Sequence, residues 1–402
     1  MRLDHPQTYR RLQINYERNC AQDYTAEIDR AVEQFRYADC QDQLWQAEPF
    51  SLLYGTALWD EASPSQRLIL NHLYWVAYYS QIVSAEIAII YFNQTSAAGL
   101  YGLEDFRLVC DMLDLETKQE RSHIHAFRTI GRATELALLG QPMFTYPMRG
   151  PFTETMVYAD TSWFKQRWKS LQLQSFGLLS ANNPFLACQY FTVRGLRTLN
   201  GKLVQHRLSQ SLAGNTAPEQ RPIPAQVSYY HFMDDSFHFN SSTILAHDVV
   251  KALKPPTAFE RQVMNLGIRG CQQDHYHFSA AINGIFWYDP ALYSAVYRVL
   301  RSPSFGLDPA AAKTMMARCF TQESEGLHLS YQTHQEAIAS YRAYLEKVGY
   351  LWTANRQLSW MAANSIPRYL RLQQRQFRQW CRQIADREVE APTAPSLQPD
   401  GA

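Results

Sequence analysis

The chain has 402 residues, 46% of them apolar, with 19% charged residues and a formal charge of +1 at pH 7. That apolar share is enough for a buried core, and the balanced charge gives no basis for nucleic-acid binding, which needs a concentrated basic surface. No apolar run reaches the ~20 residues that span a bilayer; the nearest, residues 68–92, is interrupted by Asn71, His72, Ser80, Gln81, Ser84 and Glu86.

In chain order, proline-free stretches with apolar residues at helical spacing predict long helices over 65–91 and 103–139. A Gly- and Pro-rich loop over 140–152 precedes a third helical stretch, 163–212, with a break expected near Asn182-Asn183-Pro184. A polar, proline-containing loop over 213–224 leads into a fourth helix, 227–251, and further helices are predicted over 259–286, 290–301, 309–349 and 351–387. No strand-and-turn rhythm and no fixed-period repeat is present. The expected architecture is all-α: four long helices with flanking helices, in one domain over 1–388 and with a Pro-rich, disordered tail over 389–402. The start, Met1-Arg-Leu-Asp-His-Pro, lacks the apolar centre of a signal peptide. The seven cysteines are scattered and never form C-x-x-C, which argues against a disulfide framework and a thiolate zinc site. A cytoplasmic location is the expectation. The 24 Tyr, 20 Phe and 9 Trp suit either bulk packing or a thick core around an apolar pocket.

Chemistry-bearing residues gather at three places. Glu86 lies among Ala85, Ile87, Ala88, Ile89 and Ile90, where an unpaired carboxylate is costly to bury; a rim position on the helix is the alternative. Glu120 and His123 form Glu-x-x-His, about 60° apart on one helix face and one turn apart. In His231-Phe-Met-Asp-Asp235-Ser-Phe-His238, Asp235 stands at about +40° and His238 at about −20° from His231. Three ligand-type side chains therefore share one stripe, flanked by Phe232, Met233, Phe237 and Phe239, which a solvated face would rarely carry. Di-iron carboxylate bundles take a carboxylate from one helix and a carboxylate-x-x-His from another, twice over.

Glu, then Glu-x-x-His, then His-x-x-x-carboxylate-x-x-His on successive helices resembles the p-aminobenzoate N-oxygenase family of di-iron proteins and their relatives, the cyanobacterial dimetal-carboxylate halogenases of cylindrocyclophane-type pathways. The resemblance covers roughly residues 68–251. It implies a ferritin-like four-helix bundle whose di-metal core lies within about 65–251. It also implies two bound irons (an Fe/Fe or Mn/Fe pair), with Glu86 and Glu120 as bridging or chelating carboxylates, His123, His231 and His238 as nitrogen ligands and Asp235 as a carboxylate ligand. Glu120 and Asp235 are then the catalytic carboxylates. Asp235 stands where the N-oxygenases usually have Glu.

One departure bears on the reaction. The N-oxygenases take a further Glu ligand from the third helix, whereas no Asp or Glu occurs here from Thr161 to Pro218. Gln189 is the candidate for that position. The gap removes a negative charge and opens a coordination place that chloride could fill. A halide held beside an oxidised metal can pass to a substrate radical, which favours C–Cl formation. The expected activity is therefore dioxygen-dependent halogenation of an unactivated C–H bond in an aliphatic fatty acyl substrate. An arylamine N-oxygenase, and a non-catalytic helical scaffold or metal-binding protein, are the alternatives. Glu154 or Asp160 would fill the gap instead if the helix boundaries differ.

Several weaker signals stand beside these. Glu325-Gly-Leu-His328 is a second Glu-x-x-His, and Asp274-His-Tyr-His277 a further cluster; both fall after the closing helix. His125 points away from Glu120, towards core or outer-shell positions. His72, fourteen residues before Glu86, lies about 21 Å along the axis, too far to share a metal. Arg356, Arg368, Arg371, Arg375, Arg378 and Arg382 form either a solvated face or a docking face for an acidic carrier protein bearing the acyl chain. An external electron donor is implied, no membrane span is expected, and a homodimer is allowed.

Overall fold

The computed structural model describes residues 6–103, 106–144, 163–211, 217–276, 282–283 and 290–390. Among these it contains helices and no strands, so the fold is an all-α bundle. In order come α1 (Pro6–Ala21), α2 (Thr25–Gln34), α3 (Ala57–Glu61), α4 (Pro64–Leu100), α5 (Arg107–Leu139), α6 (Trp163–Ala181), α7 (Pro184–Ser211), α8 (Ile223–His247) and α9 (Ala258–Asp274). The C-terminal third adds α10 (Pro290–Arg301), α11 (Pro309–Thr321), α12 (Glu325–Glu346), α13 (Thr353–Arg356) and α14 (Ile366–Glu390).

Local chemistry sets the ends of the long helices. Ser63 caps α4 in a reciprocal box with Gln66, with Pro64 at the first helical position. α5 stops at Gly140, whose φ of 68° is the left-handed conformation open to glycine. Between α6 and α7, Asn183 Oδ1 accepts from Leu186 N at 3.0 Å and Pro184 opens the next helix, at the break the sequence predicts. Two expected helices are shorter or divided. The stretch 309–349 is cut at Gln322 and Glu323, because Ser324 caps α12 by accepting from Leu327 N. The stretch 351–387 holds the single turn of α13 and then turns until α14 begins. α9 ends at Asp274, well short of 286.

The bundle core is α4, α5, α7 and α8. α4 packs along α5 and α7 along α8. One apolar cluster joins Leu70–Val83 of α4, Ala126, Phe127 and Ile130 of α5, Val204 and Leu208 of α7, and Val227 and Tyr230 of α8. A second joins Ala88 to Leu100 of α4, Val109 to Leu113 of α5, Ala187 to Leu196 of α7, Ile244 to Ala246 of α8, and Val249 just beyond it. α4 and α8 therefore run one way and α5 and α7 the other. Between the two clusters lies the polar layer that contains Glu86. α1 and α2 cover α5 and α8, α6 lies on α4 and α7, and α9 packs on α7. Gly177 of α6 makes the α6–α4 approach possible, since a Cβ there would stand 2.6 Å from the Tyr91 ring. By length and composition α4 could cross a membrane, yet 56% of its most apolar window is buried inside the protein.

Candidate metal centre

Six side chains meet in the polar layer from three helices. α4 supplies Glu86, α5 supplies Glu120 and His123, and α8 supplies His231, Asp235 and His238. All but Asp235, whose side chain is 15% exposed, are fully buried. Their ligand-type atoms form two groups, Glu86/His123/His231 and Glu120/Asp235/His238, each with all atoms within 4.8 Å of one another. Glu86 Oε1 lies 3.1 Å from His231 Nε2 and 3.7 Å from His123 Nδ1. Glu120 turns one oxygen to each group, Oε2 to His123 Nδ1 at 3.5 Å and Oε1 to His238 Nδ1 at 3.2 Å. Asp235 does the same, Oδ2 to His231 Nε2 at 3.4 Å and Oδ1 to His238 Nδ1 at 3.3 Å. Two ligands about 2.1 Å from a shared first-row ion stand roughly 3.0–3.4 Å apart, so most of these spacings are those of ligand sets.

Electrostatics gives the same reading. Burial, and then the charge of Glu120, push the Glu86 carboxyl well above its ordinary value. His231 is driven down to about 4 by burial. Against burial, contacts from His123 and His238 hold Glu120 at about 2, and Glu116, Asp235 and Glu120 raise His238 to about 10. His123 is raised well above its ordinary value by Asp234 and Glu120 against the same opposing burial. Both Glu86 oxygens, Glu120 Oε2, His123 Nδ1 and His238 Nδ1 are buried without a hydrogen-bond partner. A layer of orphaned acceptors facing a common centre fits a pair of cations, and it would be a poor way to stabilise a fold without them.

A cavity of about 400 Å³ opens on this layer. Glu86, Glu120, His231, Asp235 and His238 form its polar floor, and Ile82, Ile89, Phe92, Phe176, Leu179 and Val263 form apolar walls. Towards solvent it is bounded by Trp168 and Leu171, which are 56% and 53% exposed, on α6, and by Leu266 on α9.

Gln189 is not in this site. It is buried, accepts from Thr192 Oγ1 at 3.0 Å and lies beside Tyr350, and it does not line the cavity. The α7 residues that do are Val193, Arg194, Arg197, Thr198, Gly201 and Gln205. Gln205 reaches His231 Nδ1 at 3.4 Å, and Gly201, one turn away, presents no side chain. Gln205, not Gln189, is thus the α7 side chain that reaches a ligand-type residue, with Gly201 one turn before it in the cavity wall. Register explains the correction: sixteen residues separate 189 from 205, about 160° around the helix and 24 Å along it. Glu154 and Asp160 lie outside the described residues, as does His277.

The weaker signals resolve elsewhere. His328 is exposed and pairs with Glu323 at 2.7 Å. Asp274 pairs with Arg197 at 3.0 Å in the cavity wall. His125 is exposed, not core. Arg356 sits on α13, where it donates to the carbonyls of Val348 and Gly349, apart from the α14 arginines. Arg194 was not anticipated. Its buried guanidinium ties the four core helices together, donating to Glu116, to Asn93 Oδ1 at 3.1 Å, to Ser242 and Ser241 Oγ at 2.7 and 2.8 Å, and to the His238 carbonyl at 3.0 Å. The sequence signal for it is that α7 carries no acid of its own to pair with.

Residues 7–381 match the family described as acyl halogenase, CylC-like. The chain belongs to that family. No curated protein and no solved structure matches it. Membership in a halogenase family supports an enzyme, and the two Glu/His groups are compatible with a di-metal site within that family's fold.

Proposed function

We propose that the protein is a non-haem di-metal halogenase that replaces an unactivated C–H bond of an aliphatic acyl chain with C–Cl. The observation that carries this reading is the largely apolar cavity with the carboxylate–imidazole layer as its floor, and with one wall, α7, lacking a carboxylate at the ions. Glu86, His123 and His231 would hold one ion and Glu120, Asp235 and His238 the other, with Glu120 and Asp235 facing both. A pair of irons, or a manganese–iron pair, suits this oxygen and imidazole set. Bound there, the metals supply dioxygen reduction and oxidation of the C–H bond.

The chain's own residues supply the rest. The apolar walls lay an alkyl chain against the floor and exclude water. Gly201 leaves room for chloride beside the carboxylates. The overall exchange balances when one C–H bond, one chloride, dioxygen, two electrons from an external donor and three protons give one C–Cl bond and two waters.

The acyl group would arrive on an acidic carrier protein. Arg368, Arg371, Arg375, Arg378 and Arg382 are exposed on α14, within about 80° of one another around the helix, a basic stripe suited to an acidic surface. Arg371→Glu with Arg375→Glu should raise KM for carrier-bound acyl groups; an unchanged KM removes this face. The seven free thiols accord with a reducing, cytoplasmic setting.

The test is direct: incubate iron(II)-loaded protein with reductant, dioxygen, chloride and either a carrier-bound fatty acyl substrate or an arylamine, and read product mass. A chlorinated acyl chain is expected. N-hydroxylated or nitro products from an arylamine, with no chlorination, would overturn it. Gly201→Glu, which returns a carboxylate to α7, should suppress chlorination in favour of hydroxylation.

A further inference from the structure

Beside Asp235 stands a second buried aspartate that faces the other way. Adjacent residues on a helix point about 100° apart, so Asp235 meets the ligand layer while Asp234 faces α5 and the N-terminal helices. Asp234 is fully buried, and its Oδ2 accepts from His123 Nε2 at 3.1 Å. Its Oδ1 receives Tyr24 N at 3.4 Å and Gln119 Nε2 at 3.5 Å. Gln119 in turn accepts at Oε1 from His238 Nε2 at 2.9 Å, and it exchanges hydrogen bonds with Asn19, donating at 2.8 Å and accepting at 3.3 Å. The outer nitrogens of two histidines, one from each ligand group, thus hang from a single chain: His123–Asp234–Gln119–His238. α1 anchors it through Asn19, and the start of α2 anchors it through the Tyr24 amide. With the outer nitrogens fixed, both rings turn Nδ1 inward, and those two Nδ1 atoms are among the buried atoms without a partner.

Charge makes the arrangement more than an orienting device. Glu86, Glu120 and Asp235 bring three negative charges to the layer, one short of two divalent cations. Glu116 cannot make up the difference, because it is paired with Arg194. Asp234 has no arginine or lysine partner among the described ion pairs, and its carboxylate sits one imidazole away from the centre.

We propose that Asp234 is a positioning residue of the metal centre that also supplies the carboxylate charge that α7 does not. Through Gln119 it holds His123 and His238 together in the metal-facing tautomer. This rests on the di-metal reading above. It also changes the meaning of the α7 gap, which is a vacancy in coordination and not in charge: chloride enters a site already balanced by four carboxylates, and so binds weakly before the metals are oxidised. Outer-shell partners of metal-bound histidines typically account for about 10- to 100-fold in metal affinity.

Cobalt(II) provides the test, because its visible absorption reports ligand geometry. The full-length chain and its variants are loaded with cobalt(II) without oxygen, and release to a chelator and the response of the spectrum to chloride are measured. Wild type should retain two ions per chain. Asp234→Asn keeps an acceptor for His123 while deleting the charge; it should release cobalt about 10-fold or more faster and show a spectrum that responds to chloride at lower concentration. Gln119→Leu keeps the charge and should release faster with the wild-type chloride response. Asp234→Ala should lose both functions, and if it fails to fold the asparagine variant still decides the matter. A wild type that binds no cobalt defeats the di-metal reading itself. A wild type that binds two ions, with Asp234→Asn unchanged in release and chloride response, defeats only the role of Asp234.

Discussion

Helix α4 buries two polar knots, one above the other, and they are built on opposite plans. At the lower one Asn71 receives Trp45 N at 2.9 Å and donates to Gln46 O at 3.1 Å and Ser51 Oγ at 2.9 Å. Next to it both nitrogens of His72 are engaged, Nδ1 with Tyr37 Oη at 3.0 Å and Nε2 with the Gln43 carbonyl at 2.8 Å, and the ring stacks on Trp45 at 4.2 Å. At the upper knot Glu86 is as deeply buried, but neither of its oxygens has a hydrogen-bond partner. Burial of polar groups alone therefore does not mark a site. The lower knot completes itself with neutral partners at all of these atoms but Gln46 Oε1, whereas the upper one assembles acids and imidazoles with several unpartnered atoms, an arrangement that a pair of cations fits.

The sharpest way to break this contrast is at the upper knot. Glu120→Ala removes the carboxylate that faces both ligand groups, and should lower metal retention and halogenation by more than about 100-fold, beyond an outer-shell effect, with helicity intact by circular dichroism. Two metals per chain and normal turnover in that variant would take Glu120 out of the centre. At the same knot, stripping metal with a chelator should lower stability by about 4 kcal/mol relative to protein in free metal at about a thousand times the dissociation constant. Denaturant midpoints with and without metal measure this. An unchanged midpoint would mean the knot was closed after all.

The lower knot responds to pH instead. Burial depresses His72 from 6.5 to about 4, so the ring is neutral in the folded chain. The unfolded chain takes up its proton first as pH falls through about 6.5, and stability declines from there to about pH 4, by roughly 3 kcal/mol in all. His72→Gln should flatten that part of the acid limb in metal-free protein. Equal slopes for the two proteins would show that His72 does not titrate as its surroundings demand.

How far this contrast could be read from residues alone follows helical geometry. The six ligand-type residues were legible because i, i+3 and i+4 spacing puts side chains on one face whatever the rest of the fold does. The break before Pro184 was legible because Asn and Pro carry their own local chemistry. Asp234 was not, since one step from Asp235 turns it towards partners on α1 and α2, and the outcome depends on packing between elements far apart in sequence. The α7 residues that line the cavity were missed for a related reason. α7 is buried on several sides through its first half, from Phe185 to Leu196, so apolar periodicity there does not say which face meets the acids. Arg194, Thr198, Gly201 and Gln205 define that face only once α8 lies beside them.

Gly201 offers the smallest effect and the finest distinction between the knots. It lies in the interior of α7, where glycine destabilises a helix by about 0.5–1 kcal/mol relative to alanine. A Cβ there would meet nothing closer than Gln205 Nε2 at 3.7 Å, an ordinary contact. Gly201→Ala should therefore stabilise the fold by up to about 1 kcal/mol, measured by denaturant unfolding of metal-free protein. The same methyl would take up cavity space beside Gln205 and lower halogenation and chloride binding, while leaving metal retention near wild type. A variant more stable but slower would show that the upper knot keeps its open space at the expense of helix stability, something the lower knot has no reason to do. A variant more stable with undiminished chlorination would place the halide away from α7 and leave Gly201 without a role in the reaction.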